Sequence, residues 1–176
     1  IQLTVRTSEG CNSDIKTKVV YINPNPVANF TFSDTACLPN ALVSFSDKST
    51  IADGTQASFV YLWNFGDPAS GTSNSSVSIN PTHVYSNLGP YNVSLIVRSG
   101  AGCIGDTIIP VNSIHPQPNA DFTFDKNSIC EGDNVTFSDQ SDPLDGNSVE
   151  WHWNFGDGGT SVQQNPNYTF ANSGDF

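Results

Sequence analysis

The chain has 176 residues, with 17 acidic against 6 basic side chains and a formal net charge of −11. A surface of that sign repels phosphate, which argues against nucleic acid and anionic lipid headgroups as partners, since both are tracked by basic stripes. No run of about 18 apolar residues is present, so no segment reads as a membrane-spanning helix and membrane insertion is not expected. Charged residues make up only 13% and Ser, Thr, Asn, Gly and Pro abound, the balance of an extracellular β-protein; a cytosolic enzyme carries nearer a quarter charged residues. Neither an initiator Met nor a charged-then-apolar leader stands at Ile1, so the chain reads as a piece of a longer polypeptide or a processed product.

No segment keeps apolar residues at i, i+3, i+4 and i+7 over three turns. Short β-branched and aromatic alternations broken by Asn, Gly, Pro and Asp predict an all-β fold instead. In chain order, residues 1–22 read as a two-stranded hairpin, followed by the joint INPNPVA, whose prolines fix φ and favour an extended, semi-rigid spacer. Residues 29–32 and 43–45 supply a first pair of strands. Next, Phe59, Tyr61, Trp63 and Phe65 share one face of a strand, leaving Val60 and Leu62 on the other. Gly66 suits a positive φ and Asp67 can bind nearby backbone amides, so the two form the turn. After the loop 68–78, Tyr91, Val93, Leu95 and Val97 alternate inward on a penultimate strand. Residues 107–114 make the last strand, and IHPQPNA is a second joint.

From there the pattern starts again. LTVRTSEGC and LIVRSGAGC, NPNPVANFTF and HPQPNADFTF, and VSFSDKS and VTFSDQS each match at an offset of 92. WNFGD, at 63–67 and 153–157, repeats at an offset of 90, and NPTHVYSNLGPY and NPNYTFANSGDF match at 85, so the loops shorten in the later copy. Residues 1–22 are therefore expected to be the last two strands of a preceding repeat, 26–113 a complete repeat, and 118–176 a repeat that stops before its last two strands. Two arrangements fit that frame: a window on a long covalent array, or separate chains joined head to tail with the 1–22 hairpin completing the next chain's sandwich. The first is preferred, because an isolated hairpin is marginal.

In the later copy Val149, Trp151, Trp153 and Phe155 share a face, with Glu150, His152 and Asn154 opposite. Each such aromatic ring buries roughly 150–250 Å², so Trp63, Phe65, Trp151, Trp153 and Phe155 are the expected structural core. About seven short strands per copy predicts tandem immunoglobulin-like β-sandwiches. The order VTFSDQS, SDPLDG, WHWNFGDGG, NPNYTF and a YNVSLIV-type strand resembles the polycystic kidney disease (PKD) repeat over essentially the whole chain. The earlier copy departs by reading GDP where the later has GDG. The resemblance implies a non-enzymatic extracellular sandwich serving as spacer, adhesive or interaction module. The tandem style, with a Gly-Cys after the penultimate strand and a Cys early in the next copy, is similar to large cell-surface and gliding-motility adhesins of Bacteroidota.

Cys11, Cys37, Cys103 and Cys130 fall two per repeat, in register. An even count in a secreted-looking chain suggests disulfides, and neither a CxxC nor a zinc-ribbon spacing is present. Cys11–Cys37 with Cys103–Cys130, Cys37–Cys103, and pairing with cysteines outside these residues all stand open. The likeness to Bacteroidota proteins implies that Asp-Thr-Ala at 34–36 and Asp-Thr-Ile at 106–108 make Thr35 and Thr107 the expected O-glycan acceptors. N-x-Ser/Thr triplets at Asn29, Asn74, Asn92, Asn134 and Asn167 matter only with eukaryotic-type machinery and are discounted. Asp142, Asp145 and Asp157, with Asp53 and Asp67 in the earlier copy, are calcium candidates, since some PKD-like modules bind that ion. Turn capping accounts for each of them equally well.

An enzyme needs an activated group. The three histidines lie beside a proline turn (His83), in a joint (His115) and on an outward strand face (His152), and GxSxG, HExxH and phosphate-loop motifs are missing. The chain is read as a non-catalytic structural and adhesive segment without a resident cofactor other than candidate calcium. Its expected partners are neighbouring repeats, with surface polysaccharide or another cell-surface protein beyond them. The rival reading is a carbohydrate- or matrix-binding accessory module of a secreted hydrolase, with Val60 and Leu62 as one apolar contact surface.

Overall fold

The computed structural model describes residues 1–148 and 150–176. It is all β: β1 (Gln2–Leu3), β2 (Lys16–Thr17), β3 (Phe30–Phe32), β4 (Ala36–Cys37), β5 (Ala41–Asp47), β6 (Val60–Asn64), β7 (Ser75–Ser76), β8 (Thr82–Tyr85), β9 (Tyr91–Arg98), β10 (Ile104–Val111), β11 (Ile114–His115), β12 (Phe122–Phe124), β13 (Asn134–Asp139), β14 (Trp153–Asn154), β15 (Thr160–Ser161) and β16 (Asn167–Thr169). Short 3₁₀ segments cover Gln56–Ser58 and Pro68–Asn74. The sheets run β1-β2, β10-β9-β6-β7, β3-β5-β8, β11-β4, β12-β13-β16 and β14-β15. Two compact units result, one of Ile1–Thr31, Phe45–Pro81 and Asn92–Ile109, the other of Phe32–Ser44, Thr82–Tyr91 and Pro110–Phe176.

In the first unit, β6 lies between β9 and β7, with Tyr61 opposite Val97 and Trp63 opposite Leu95. The period-2 pattern buries Tyr61, Trp63, Val93, Leu95 and Val97 while Val60 and Leu62 stay exposed. Trp63 is fully enclosed, its ring centroid 5.0 Å from that of Phe30 and 5.7 Å from that of Phe45, with Phe65 5.3 Å from Phe45. Its indole N–H donates to the Ser78 carbonyl at 2.8 Å, so the ring is buried without an orphaned donor. Gly66 has φ +71°, and a side chain there would meet the Asn92 backbone, which is why the turn after Phe65 needs glycine.

The second unit holds the buried Ala41, Val43, Tyr85, Val111 and Ile114, with the rings of Tyr85 and Tyr91 4.1 Å apart. It also holds the later copy, where the aromatic cluster returns almost unchanged: Phe122–Trp153 at 5.3 Å, Phe137–Trp153 at 5.7 Å and Phe137–Phe155 at 5.3 Å. The Trp153 indole again donates to a carbonyl, that of Gln163, at 2.8 Å.

Three sequence expectations are corrected. The last strand begins at Ile104, three residues before the expected start, and breaks at residues 112–113, because Ile114–His115 leaves to pair in parallel with Ala36–Cys37. Trp151 and Trp153 are only half-buried, and Phe122 is 51% exposed where its counterpart Phe30 is 3%. Among the described residues β14 pairs with β15 alone and has no partner equivalent to β9. Strand β14 is also shorter than expected, starting at Trp153, and Val149 lies outside the described residues.

A polar strut recurs beside each cluster. The carboxylate of Asp47 accepts from the Tyr61 hydroxyl at 3.0 Å and the Ser49 amide at 3.0 Å, and the Asp47 amide donates to Asn80 Oδ1 at 2.9 Å. In the later copy Asp139 accepts from the Trp151 indole at 2.9 Å and the Ser141 amide at 3.0 Å, and its amide donates to Asn165 Oδ1 at 2.9 Å. Burial, then the hydrogen bond to Asp47, pushes the Tyr61 phenol up to about 12. Hydrogen bonds from Ser141, reinforced by Trp151 and Gln164, hold the Asp139 carboxyl down at about 2.

Two outcomes follow. Trp63→Ala, which empties an enclosed site, is expected to cost ~3–5 kcal/mol, and Trp153→Ala less, because that ring is already partly solvated; urea unfolding of each variant measures the order, and equal losses would contradict it. A carboxylate depressed in the folded state contributes stability above its unfolded pKa, near 3.8, that is lost as pH falls through about 2. Asp139→Asn should therefore flatten the fall in thermal midpoint across that window, and a carboxylate midpoint near the ordinary value in an NMR titration would contradict the assignment.

Candidate functional site

The polar side chains singled out in the sequence all have structural positions. Asp53 caps its own turn, accepting from the Thr55 amide at 3.1 Å and hydroxyl at 2.7 Å. Asp67 is buried, and its amide donates to Asn74 Oδ1 at 2.7 Å. Asp142 accepts from the Leu144 amide at 2.9 Å. Asp157 accepts from the Gly159 amide and, through both oxygens at 2.9 Å, from the Tyr168 hydroxyl, a contact that raises the tyrosine pKa. Asp145 faces His115, Oδ2 to Nδ1 at 2.7 Å. Among the described residues no three His, Cys, Asp or Glu side chains are grouped to hold a metal ion.

His83 is buried, and His152 is exposed beside Glu150 at 3.0 Å. Thr35 is exposed just before β4, and Thr107 is half-exposed on β10, the edge strand of its sheet. Among the described residues no two cysteines are bonded to each other; Cys11, Cys37 and Cys130 are exposed and Cys103 half-exposed. Val60 and Leu62 are 63% and 50% exposed, and Leu62 pairs with the outward Ile96 across β6 and β9. That makes a small apolar strip on one sheet face.

Open grooves are present among the described residues. One of about 360 Å³ is lined by Phe124, Phe137, Phe170 and Phe176, and another, of about 470 Å³, by Leu88, Pro90, Ile114, Pro116, Leu144 and Asp145. Neither lining includes a histidine. The second groove runs along the joint. There the Ala36 and Leu38 amides donate to the Ser113 and His115 carbonyls at 2.9 and 3.0 Å, and the His115–Asp145 contact ties the joint to the loop of the later copy. The recurring Asp47 and Asp139 struts escaped the sequence reading, although their shared FSD context was the available signal.

Comparison with known proteins gives relatives over parts of the chain. The collagenase ColQ1 of Bacillus cereus is 35% identical over 80 residues, which is 46% of this chain and 8% of that protein. The collagenase ColA of Bacillus cereus is 46% identical over 55 residues, 29% of this chain and 5% of that protein. The chain thus spans less than a tenth of the length of either relative. A solved structure of carbohydrate-binding modules from the β-sandwich superfamily superposes with a TM-score of 0.45 at 23% identity, covering 67% of this chain and 56% of that one. The PKD domain family matches residues 23–110 and again residues 115–176, and with both spans carrying the same aromatic cluster and strut, the chain belongs to the PKD domain family.

Proposed function

We propose that the chain is a non-enzymatic extracellular segment in which PKD modules stand in series, forming a stalk or filament of a larger surface protein of adhesin type. One observation carries this reading: in both copies the side chains most readily taken for functional groups are spent on the module itself. Asp47 and Asp139 anchor the aromatic strand, and Asp53, Asp142 and Asp157 cap turns. The joint is held in the same way, by β4–β11 pairing and the His115–Asp145 contact. A module whose polar groups are so used transmits position and load to its neighbours. The net charge of −11 also keeps parallel stalks apart.

A second reading has a specific support: the matched segments of the two collagenases occupy 8% and 5% of those proteins, as accessory modules of a hydrolase would. On that reading the exposed Val60–Leu62–Ile96 strip is the contact surface for matrix protein or polysaccharide.

One experiment separates them. In the parent protein, deletion of residues 23–114 should shorten the surface projection by at least ~26 Å, the span of an eight-residue strand such as β9, as measured by electron microscopy, while Leu62→Glu leaves retention on collagen or cell-wall polysaccharide unchanged. Unaltered projection length, with retention lost in the Leu62→Glu protein, would favour the accessory-module reading.

A further inference from the structure

Among the described residues the four cysteines form no disulfide with one another, and two of them stand against the joints between repeats. We infer that each joint of the array is closed by a disulfide between the β4 cysteine of one repeat and the β9–β10-turn cysteine of the repeat that follows. The inference rests on the serial-module reading.

Asn23 and His115 are the same position of the repeat, related by the offset of 92 that also carries Cys11 to Cys103. Each opens the proline-containing joint between two repeats. At His115 the structure displays the repeat that ends at the joint. Cys37 is the direct Cα partner of His115 on parallel strands, and the Leu38 amide donates to the His115 carbonyl at 3.0 Å. Adjacent strands lie about 4.8 Å apart, so Cys37 sits against the joint residue. At Asn23 the structure displays the repeat that begins at the joint. The Cys103 thiol donates to the Asn23 carbonyl oxygen at 3.8 Å.

The two views describe two sides of one residue. The β4 cysteine of the earlier repeat flanks it across a strand pair, and the turn cysteine of the later repeat reaches its carbonyl. A carbonyl oxygen has two lone pairs, so an amide and a thiol can occupy it together. Both cysteines thus approach the same backbone unit, the carbonyl of the joint residue, which is what brings them within reach of each other across the joint.

The turn that delivers the second cysteine is built identically in both copies. The Ser99 and Thr7 amides donate to the Cys103 and Cys11 carbonyls at 2.9 Å, and the Cys103 and Cys11 amides donate to the Ser99 and Thr7 hydroxyls at 3.2 Å. Gly102 and Gly10 share φ +90°. Cys37 and Cys103 therefore serve opposite joints of one repeat, Cys11 serves the joint before its own repeat, and Cys130 the joint after 118–176. No two of the four are partners. The Sγ–Sγ bond forms by exchange with an oxidised dithiol carrier outside the cytoplasm, which takes up the two electrons and two protons and leaves as a dithiol.

The test uses the parent protein, recovered without reductant, alkylated, digested and mapped by mass spectrometry. The expected cross-link joins the peptide containing Cys37 to that containing the Gly-Cys after the penultimate strand of the repeat beginning near residue 118. Cys130 is expected to be linked in the same way to the repeat after that one. The 176-residue chain alone, incubated with oxidised glutathione, should form no internal disulfide. Cross-links Cys37–Cys103, Cys11–Cys37 or Cys103–Cys130, or alkylated thiols at these positions in the parent, would overturn the staple and leave the serial array standing. A parent without further repeats would remove both.

Discussion

Burying an indole obliges the protein to find an acceptor for its N–H, and that obligation organises each module. The Trp63 and Trp153 rings are seated among equivalent phenylalanines, and both N–H groups are satisfied by a carbonyl in the chain that follows the turn after WNFGD, that of Ser78 or Gln163. The two segments differ in length, as the offset falling from 90 to 85 shows, yet each delivers a carbonyl at 2.8 Å. The loop has freedom in how it travels and almost none in where it arrives. This explains how the earlier copy can read GDP, with a 3₁₀ segment over Pro68–Asn74, without disturbing the centroid distances around the indole.

The aspartate strut shows the same economy in polar form. Position 61 is Tyr and position 151 is Trp, and the two rings place different donors, a phenol O–H and an indole N–H, on equivalent carboxylates, those of Asp47 and Asp139. What is kept is an aromatic ring with a polar tip that reaches Asp47 or Asp139, a side chain apolar against the core and hydrogen-bonded at its rim. The difference in burial between copies then follows from sheet pairing. Strand β6 has neighbours on both sides, whereas among the described residues β14 has one, and aromatic surface that β9 covers in the complete repeat stays exposed on Phe122 and Trp153.

The parts legible in the sequence were those governed by local period. Alternation through Tyr61, Trp63 and Phe65 and through Val93, Leu95 and Val97 marks buried faces because side chains on a strand alternate strictly. The repeat was legible because the same core must be built twice. Three features were not. The β4–β11 pair is two residues long, parallel and distant in sequence, so neither strand has a periodic signature. Asp47 and Asp139 sit at strand ends, where an aspartate reads as a turn residue, and only the fold shows the ring that each one anchors. The cysteines were visible, but their environment depends on joint residues, and only the fold brings Cys37 and Cys103 to equivalent ones.

Within a module the aspartate struts close on aromatic donors, while at the joint the β4–β11 pair draws the linker into the preceding module before the prolines are reached. A linker held in this way has little slack. Its prolines fix φ over the few residues that remain free. The repeat boundary is accordingly the place where the end of the last strand, β4, the Asp145 loop and the joint meet. An exposed polar contact such as His115–Asp145 contributes little alone, so the backbone hydrogen bonds of the β4–β11 pair are the firmer tie at the joint.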